Sequence, residues 1–365
     1  MESGFNMAKK KKKYDITKLV ETGAQYLIPL GKRSNGKTYQ VRKKVLEDAY
    51  TGRGNFVYLR RYRDDIKQSY VQSWFEDENF NIEDVTEGNY NTVICWQGFI
   101  FFGKYDEETG KTEKGTRIGR YCALNEDYRY KSQSFPHTIN IVYEEFVTDG
   151  IYLNNEPNRL QQFVSTVFRD EQGRVFLIGN TLSRVCPYFY EWGLSNTLRQ
   201  PQGTIEIYNK HMQDSHGNDV IIKIAVENCN NDGVNSGMFF GNTAKQIVSG
   251  EWDVEPFPRL PKALEEYDEI YKLSISYQDF IFGLQLLCDD NGAVYLYVSN
   301  MDKPYEDFRI IQEDFSDNIK ITSALDNKSK AEMKIKECFK NNKTCYSDDL
   351  TGTDFKNVLA QFPVF

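Results

Sequence analysis

From Gln25 onward, short apolar runs alternate with charged, glycine-bearing breaks. Tyr26-Leu27-Ile28-Pro29-Leu30 predicts a short strand, weakened by Pro29, which cannot donate to a ladder. Gly31 to Thr38 reads as a loop. Tyr39 to Tyr50 contains no glycine or proline and predicts a helix, broken by Thr51-Gly52-Arg53-Gly54. Phe56-Val57-Tyr58-Leu59 predicts a second strand, running into Arg60-Arg61-Tyr62-Arg63. Strand, loop, helix and strand in so short a stretch make a βαβ unit, whose two strands run parallel.

Val93 to Trp96 and Phe99 to Phe102 flank Gln97-Gly98 and predict an antiparallel pair, followed by a charged turn from Asp106 to Gly115. Thr138 to Tyr143 is another strand, ending in Glu144-Glu145. Asn158 to Phe168 can form a helix, with Pro157 near its start. Arg174 to Gly179 is a further buried strand, ending at Asn180. Strands alternating with helices place residues 14–198 in the α/β class. Arg199-Gln200-Pro201-Gln202-Gly203 has the composition of a linker, which sets the expected boundary at 199–204.

Beyond it, residues 205–365 read as a smaller α+β domain, with strands first and helices last. Its candidate strands are Thr204 to Tyr208 at the boundary itself, Leu273 to Tyr277, Ile281 to Leu287 and Ala293 to Val298. Asp289-Asp290-Asn291-Gly292 makes a hairpin turn between the last two. Helices are expected over Lys328 to Asn341 and Asp354 to Gln361. No repeat recurs at a fixed period.

The length of 365 residues fits about two domains at the usual ~150 residues each. No apolar run approaches the ~20 residues of a membrane span, and no apolar stretch backs the N-terminal lysines as in a secretory signal. Seven scattered cysteines, an odd number without a CxxC, argue for a reducing compartment and against a disulfide framework. With only three histidines, a zinc site is not expected. Charge changes the picture more. The net −8 hides a basic beginning: residues 1–63 hold 16 Lys and Arg against five Asp and Glu, whereas 205–365 hold 16 against 27. A basic end on an acidic chain suits a polyanion there, nucleotide or nucleic acid. Lys9 to Lys13, within the basic tail 1–13, reads either as a solubilising tail or as a phosphate-tracking arm.

Gly31-Lys32-Arg33-Ser34-Asn35-Gly36-Lys37-Thr38 matches G-x-x-x-x-G-K-[ST], the P-loop, in the context of a strand before and a helix after. Loop N–H groups and the helix N-terminus form an anion nest, Gly36 allows close approach, Lys37 reaches the β- and γ-phosphates, and the Thr38 hydroxyl ligates Mg²⁺. Glu144 and Glu145 end a buried strand, where ligands of parallel sheets sit. Glu144 is the candidate for the Mg²⁺ shell and Glu145 for orienting or deprotonating the attacking water. An acid pair on a strand separate from the P-loop points to the additional-strand, catalytic-glutamate branch of P-loop ATPases, which usually work as rings. A ring needs an arginine from the neighbour; Arg169 is a candidate, or else a helix cap. Asn180 is either a γ-phosphate sensor or a turn residue. Arg60, Arg61 and Arg63 suit phosphate contacts better than a solvated cluster.

Taken together, the phosphate loop with Tyr39, the string Phe56 to Tyr62, Lys131-Ser132 with Pro136, Ile141 to Phe146, Asn155-Glu156, Thr166-Val167-Phe168-Arg169, Asn180 and Pro187-Tyr188-Phe189 resemble the DNA-packaging (encapsidation) ATPases of φ29-type short-tailed phages. Order and spacing agree over roughly residues 25–190. The resemblance implies a terminase-like ring motor, a homomeric pentamer at the portal vertex of an empty capsid in the host cytoplasm, driving double-stranded DNA inward with ATP and Mg²⁺. It implies that Arg169 acts in trans on the neighbour's ATP. It also implies that Lys131 and Arg63 contact phosphate or another subunit, and that the second domain is an RNase H-like vestigial nuclease facing the capsid and a structural packaging RNA.

Three departures stand out. Glu144 replaces the usual aspartate and is one methylene longer. Ser34 and Asn35 replace small loop residues. The second domain is acidic, its one basic feature being Lys328, Lys330, Lys334, Lys336, Lys340 and Lys343. Two alternatives stay open: a terminase with an active nuclease, for which Asp279 and Asp289-Asp290 offer no convincing triad, and a P-loop scaffold that binds nucleotide or DNA without turnover.

Overall fold

The computed structural model describes residues 14–32, 35–76, 80–169, 171–213, 217–230, 252, 254–310 and 329–361. The lysine run 9–13 within the tail 1–13, Arg33 and Ser34 of the phosphate loop, and Lys328 lie outside them. The chain divides into two compact units. The first comprises 1–147, 156–181 and 196–251; the second comprises 148–155, 182–195 and 252–365.

The first unit is built on a nine-stranded sheet. Its elements in chain order are α1 (Thr17–Glu21), β1 (Tyr26–Gly31), α2 (Lys37–Tyr50), β2 (Asn55–Arg60), α3 (Gln68–Phe75), α4 (Ile82–Thr86), β3 (Thr92–Trp96), β4 (Phe99–Asp106), β5 (Lys111–Ala123), β6 (Thr138–Glu144), α5 (Glu156–Phe168), β7 (Arg174–Asn180), β8 (Thr204–Gln213) and β9 (Asp219–Asn228). The sheet order is β3-β4-β5-β2-β6-β7-β1-β9-β8. The six central strands, β5 to β9 in that order, are parallel, and an antiparallel strand or ribbon closes each edge. The expected parallel relation of β1 and β2 holds, with β6 and β7 standing between them. β7 is thus the additional strand that separates the phosphate-loop strand from the acid-bearing one.

Leu27, Ile28 and Leu30 of β1, Phe56 to Leu59 of β2, Ile141 to Tyr143 of β6 and Val175 to Ile178 of β7 are buried. Such near-continuous apolar runs are what strands covered on both faces require. Pro29 is tolerated in the middle of the sheet: Ile28, Leu30 and Gly31 carry the neighbouring ladder positions.

The boundary expected at 199–204 does not hold. Thr204 to Tyr208 belongs to β8, which pairs with β9, and β9 pairs with β1 in the first sheet. Gln200 is buried, not solvated as in a linker, and its amide donates to the carbonyls of Thr204 (2.8 Å) and Val226 (2.9 Å). The Pro-Gln-Gly composition marks the entry into an edge hairpin. The charged segment after Asp106 is likewise shorter as a turn than expected, because Lys111 to Gly115 already belong to β5.

The second unit holds a five-stranded sheet of β10 (Asp268–Tyr277), β11 (Phe280–Cys288), β12 (Val294–Asn300), β13 (Phe308–Ile310) and β14 (Thr344–Tyr346) in the order β13-β10-β11-β12-β14. β10, β11 and β12 form an antiparallel meander, with β13 parallel to β10 and β14 parallel to β12. Asp289 makes the expected hairpin turn, its carboxylate accepting from the N–H groups of Asn291 and Ala293. Helices α6 (Pro187–Glu191), α7 (Lys330–Lys340) and α8 (Asp349–Gln361) complete the unit. Phe355 of α8 packs on Phe282 (5.0 Å) and Phe339 (5.9 Å), and Arg184 pairs with Asp354 (3.0 Å), whose carboxyl burial pushes up to about 6.

One buried charge holds the first unit's central helix to its sheet. Asp48, near the end of α2, is fully buried. It accepts from Lys44 (2.5 Å), from Asn140 of β6 (3.1 Å) and from Arg174 of β7 (2.6 Å). Burial alone would raise its carboxyl; the hydrogen bonds from Lys44 and Asn140 outweigh it and leave it lowered. Its stabilisation is therefore fully present above the ordinary aspartate range and is lost as pH falls through the lowered value. Asp48→Ala should cost about 2–3 kcal/mol by leaving the buried Asn140 amide and the partly buried Lys44 and Arg174 without their shared acceptor, read as a drop in Tm; an unchanged Tm would mean that Asp48 does not anchor the helix.

Candidate active site

β1 ends at Gly31 beside β7, with Gly31 in register with Asn180. Gly31 has φ 151° and lies against the Asn35 amide and Cys229; an added Cβ would meet them at 3.0 and 3.4 Å. Gly36 caps α2 with φ 100°, a conformation that L side chains rarely adopt. The turn therefore delivers Lys37 as the first residue of the helix, with the helix N-terminus directed at the loop, a ready anion site.

Lys37 is 3% exposed. Its ammonium donates to the carbonyls of Gly31 (3.0 Å) and Lys32 (2.7 Å) and to the side-chain oxygens of Asn35 (3.1 Å) and Asn180 (3.2 Å). The cation is thus wrapped by the loop that would cradle phosphate. Burial lowers its pKa to about 8, against the pull of Glu144. Lys32 is itself buried. Asn35 also accepts from the Lys37 N–H, so the residue that departs from the family's small side chain braces the turn.

On the acid side, Glu144 is buried at the end of β6. Its carboxylate accepts from the Thr38 hydroxyl (2.8 Å) and from the Tyr58 hydroxyl (3.0 Å). Burial raises its carboxyl, partly offset by the Thr38 bond and by Arg60. Glu145 is more open, with a half-exposed side chain that pairs with Arg60 at 2.5 Å. The result is a hydrogen-bonded path Thr38, Glu144, Tyr58, Arg60, Glu145. Tyr58 has no counterpart in the sequence reading, where it is a strand residue only; its signal is its place two residues before Arg60 on β2.

Glu145 has φ 57°, uncommon for a residue with a Cβ. Arg61 holds it there. Its guanidinium donates to the carbonyls of Glu145 (3.2 Å) and Phe146 (2.7 Å) and is fixed by Glu156, with bonds of 2.8 and 3.1 Å. Tyr143 donates to the same Glu156 (2.6 Å). Arg61 therefore shapes the backbone of the acid pair from a buried position, where the sequence suggested phosphate contact.

Three expected residues do not converge on this site. Arg63 is exposed and pairs with Glu126 (2.8 Å). Lys131 is exposed on the loop before β6. Arg169 ends α5 with φ 51° and donates to the Gln133 carbonyl (3.2 Å). Glu156 starts the same helix beside the acid pair, so its 13 residues, about 20 Å at ~1.5 Å each, separate Arg169 from Glu145.

Thr38 and Glu144 are the residues that could hold a metal ion here. A hydroxyl and a carboxylate oxygen in direct contact supply the hard oxygen donors that Mg²⁺ takes, and Mg²⁺ completes its shell with phosphate oxygens and water. Among the described residues no group of three or more His, Cys, Asp and Glu could hold a metal by itself. No described helix is long and apolar enough to cross a membrane.

The glycine loop opening α2, the buried lysine and the acid-bearing strand beyond an additional strand define a P-loop domain of the additional-strand class. The chain belongs to the family Podovirus DNA encapsidation protein (Gp16), whose model matches residues 7–212, more than half of its length. It is similar to the DNA packaging proteins of Bacillus phage B103 and Bacillus phage phi29, each 26% identical over 169 residues. Those alignments cover 45% of this chain and 47% and 45% of the relatives, so the match spans about half of each relative's length. The fold is similar to a chain of the bacteriophage Phi-29 viral genome packaging motor assembly, with a TM-score of 0.53 and 18% identity over 96% of this chain and 99% of that one.

Because burial lowers the Lys37 pKa to about 8 and a bound polyanion favours its charged form, affinity for a non-hydrolysable nucleoside triphosphate should fall as pH rises. The expected loss between pH 7 and pH 9 is about tenfold by calorimetry. A flat profile would remove Lys37 from phosphate binding.

Proposed function

We propose that this chain is the ATP-hydrolysing subunit of a homomeric ring that drives double-stranded DNA into a preformed viral capsid at its portal. The observation that carries the reading is the buried Lys37 ammonium, held by the phosphate loop and Asn180 one strand away from the Thr38–Glu144 pair. Membership of the encapsidation family supports the DNA and capsid part of it.

In this reading, Lys37 exchanges loop carbonyls for the β- and γ-phosphates, while loop N–H groups and the α2 N-terminus bind the remaining phosphate oxygens. Asn180, already bonded to Lys37, senses the γ-phosphate. Thr38 and Glu144 would hold Mg²⁺, which supplies neutralisation of charge on the transferring phosphoryl group. Glu145 orients the attacking water and accepts its proton. It can do so only after leaving Arg60, since an ion-paired carboxylate is a poor base. The ~20 Å between Arg169 and the acid pair in one chain supports a role for Arg169 on a neighbour's nucleotide. Lys131 and Arg63, both exposed, suit contacts to phosphate or to the adjoining subunit. The pentameric ring and a structural packaging RNA belong to the same proposal.

ATP hydrolysis titrated with double-stranded DNA tests it. Glu145→Gln should keep ATP binding and lose at least about a hundredfold in turnover. Lys37→Ala and Arg169→Ala should each be inactive alone. Mixed, they should recover part of the activity, because one subunit offers an intact nucleotide site and its neighbour an intact arginine. Full activity of homogeneous Arg169→Ala would remove the trans role, and tight ATP binding with no turnover under any condition would favour a non-hydrolysing scaffold.

A further inference from the structure

The outer face of the β3–β4–β5 ribbon carries chemistry that the nucleotide site does not use. β5 meets β2 only from Gly119 onward. Lys111 to Ile118 therefore project past the N-terminal ends of the parallel strands, away from the end where Gly31, Lys37 and Glu144 sit. β3 and β4 set Trp96 against Phe99 and Ile94 against Phe101. β4 and β5 set Phe99 against Arg120, Phe101 against Arg117 and Gly103 against Lys114.

The cations on β5 are spaced by three, and regular alternation would send them to opposite faces. Two irregularities in the β4–β5 pairing, between Ile100 and Phe101 and between Phe101 and Gly103, each set an extra residue into β5. Each bulge restores the next cation to the same face. Ring contacts follow: the Lys114 ammonium lies 4.4 Å from the Trp96 centroid and 4.7 Å from Phe101, and the Arg117 guanidinium 5.3 Å from Phe99. Arg120 lies 5.0 Å from Phe99 and 4.8 Å from Phe135.

The opposite face is core, with Val93, Cys95, Ile100 and Phe102 buried. The paired positions on the outer face hold no acid; Glu113 stands across from Lys104, on the other side of the strands. Trp96 is 46% exposed. A shallow cleft opens at the foot of this row, lined by Phe99, Arg117, Arg120 and Phe135 among others.

We propose that this face binds single-stranded nucleic acid, with unpaired bases stacked on the exposed Trp96 ring and the partly buried Phe101 beside it, and the phosphodiester backbone on Lys114, Arg117 and Arg120. Rings on a flat sheet add nothing to the phosphate contacts of a duplex, whose bases are stacked inside it. They are what unpaired bases use, and the interleaved cations supply the charge that tracks the backbone. A row of cations without a single acid is complementary to a polyanion and not to its own copy.

The test is fluorescence anisotropy of a labelled oligo-dT of about 12 nucleotides with the full chain, beside a duplex of equal length as competitor. Oligo-dT should bind and the duplex should compete poorly. Trp96→Ala and Phe101→Ala should each weaken binding about tenfold, and Lys114→Gln and Arg117→Gln should each lower the salt slope by about 0.7. Oligo-dT should also quench tryptophan fluorescence in the wild type and less in Trp96→Phe, a readout that does not depend on a destabilising variant. No binding, duplex displacing the labelled oligo-dT as well as unlabelled oligo-dT does, or ring variants that bind as wild type would overturn the proposal. So would ring variants that change only the sedimentation coefficient, which would mark the face as a contact between copies.

Discussion

A positive charge out of water must be surrounded by acceptors, and the centre of the first unit is arranged around that requirement at Lys37. An ammonium has three protons to place; here four oxygens from two segments, the phosphate loop and the end of β7, converge on it. Two are loop carbonyls, which can turn toward Lys37 only because Gly31 and Gly36 take backbone conformations closed to other residues. One is Asn180, which reaches it only because β7 pairs directly with β1 in the register that sets Asn180 beside Gly31. The strand order and the loop conformation thus answer the same need. The lowered pKa records that the carbonyls compensate burial incompletely, so a stronger anion has something to gain by replacing them.

That arrangement needs a rigid frame, and the frame is ionic at the other end of α2. Asp48 ties the helix to Asn140 and Arg174, which are register partners on β6 and β7. The same two strands carry Glu144 and Asn180 at their far ends. Helix α2 is therefore clamped to β6 and β7 near its C-terminus, and its N-terminus meets residues that those strands deliver. Thr38 finds Glu144 at hydrogen-bond distance because both ends of one helix are fixed to the same pair of strands. The extra methylene of Glu144 is used: one oxygen reaches Thr38 and the other reaches Tyr58.

The sheet's centre was legible in the sequence because its signals are local. A short apolar run, a glycine break and a stretch free of glycine and proline identify β1, the loop and α2, and the acids ending β6 follow the same local logic. What was not legible depends on partners distant in the chain. β9 looks like an isolated apolar run until its pairing with β1 is known, more than 190 residues upstream, and the Pro-Gln-Gly before β8 then resembles a linker. Tyr58 and Arg61 acquire roles from what faces them across the sheet, namely Glu144 on one side and Glu156 on the other. The row of cations on β5 was hidden for a related reason. Spacing by three contradicts strand periodicity, and only the two bulges reconcile it.

The two ends of the sheet divide the chemistry. At the C-terminal ends of the parallel strands, four charges of the site are answered: Lys37 by oxygens, Glu144 by hydroxyls, Glu145 by Arg60, and Arg61 by Glu156. At the opposite end Lys44 and Arg174 share the buried Asp48, but Lys114, Arg117 and Arg120 are met by aromatic faces and Arg169 by the Gln133 carbonyl. A guanidinium bonded to a carbonyl or lying over a ring keeps its full charge, since neither partner is anionic. Gln133 joins the two sets, its carbonyl accepting from Arg169 and its side chain from Arg120. The loop before β6 therefore collects uncompensated positive charge at one place, and β6 itself runs from that loop to the acid pair. The seven residues of β6 run from this loop to Glu144, so the cationic loop and the acid pair lie at the two ends of one strand.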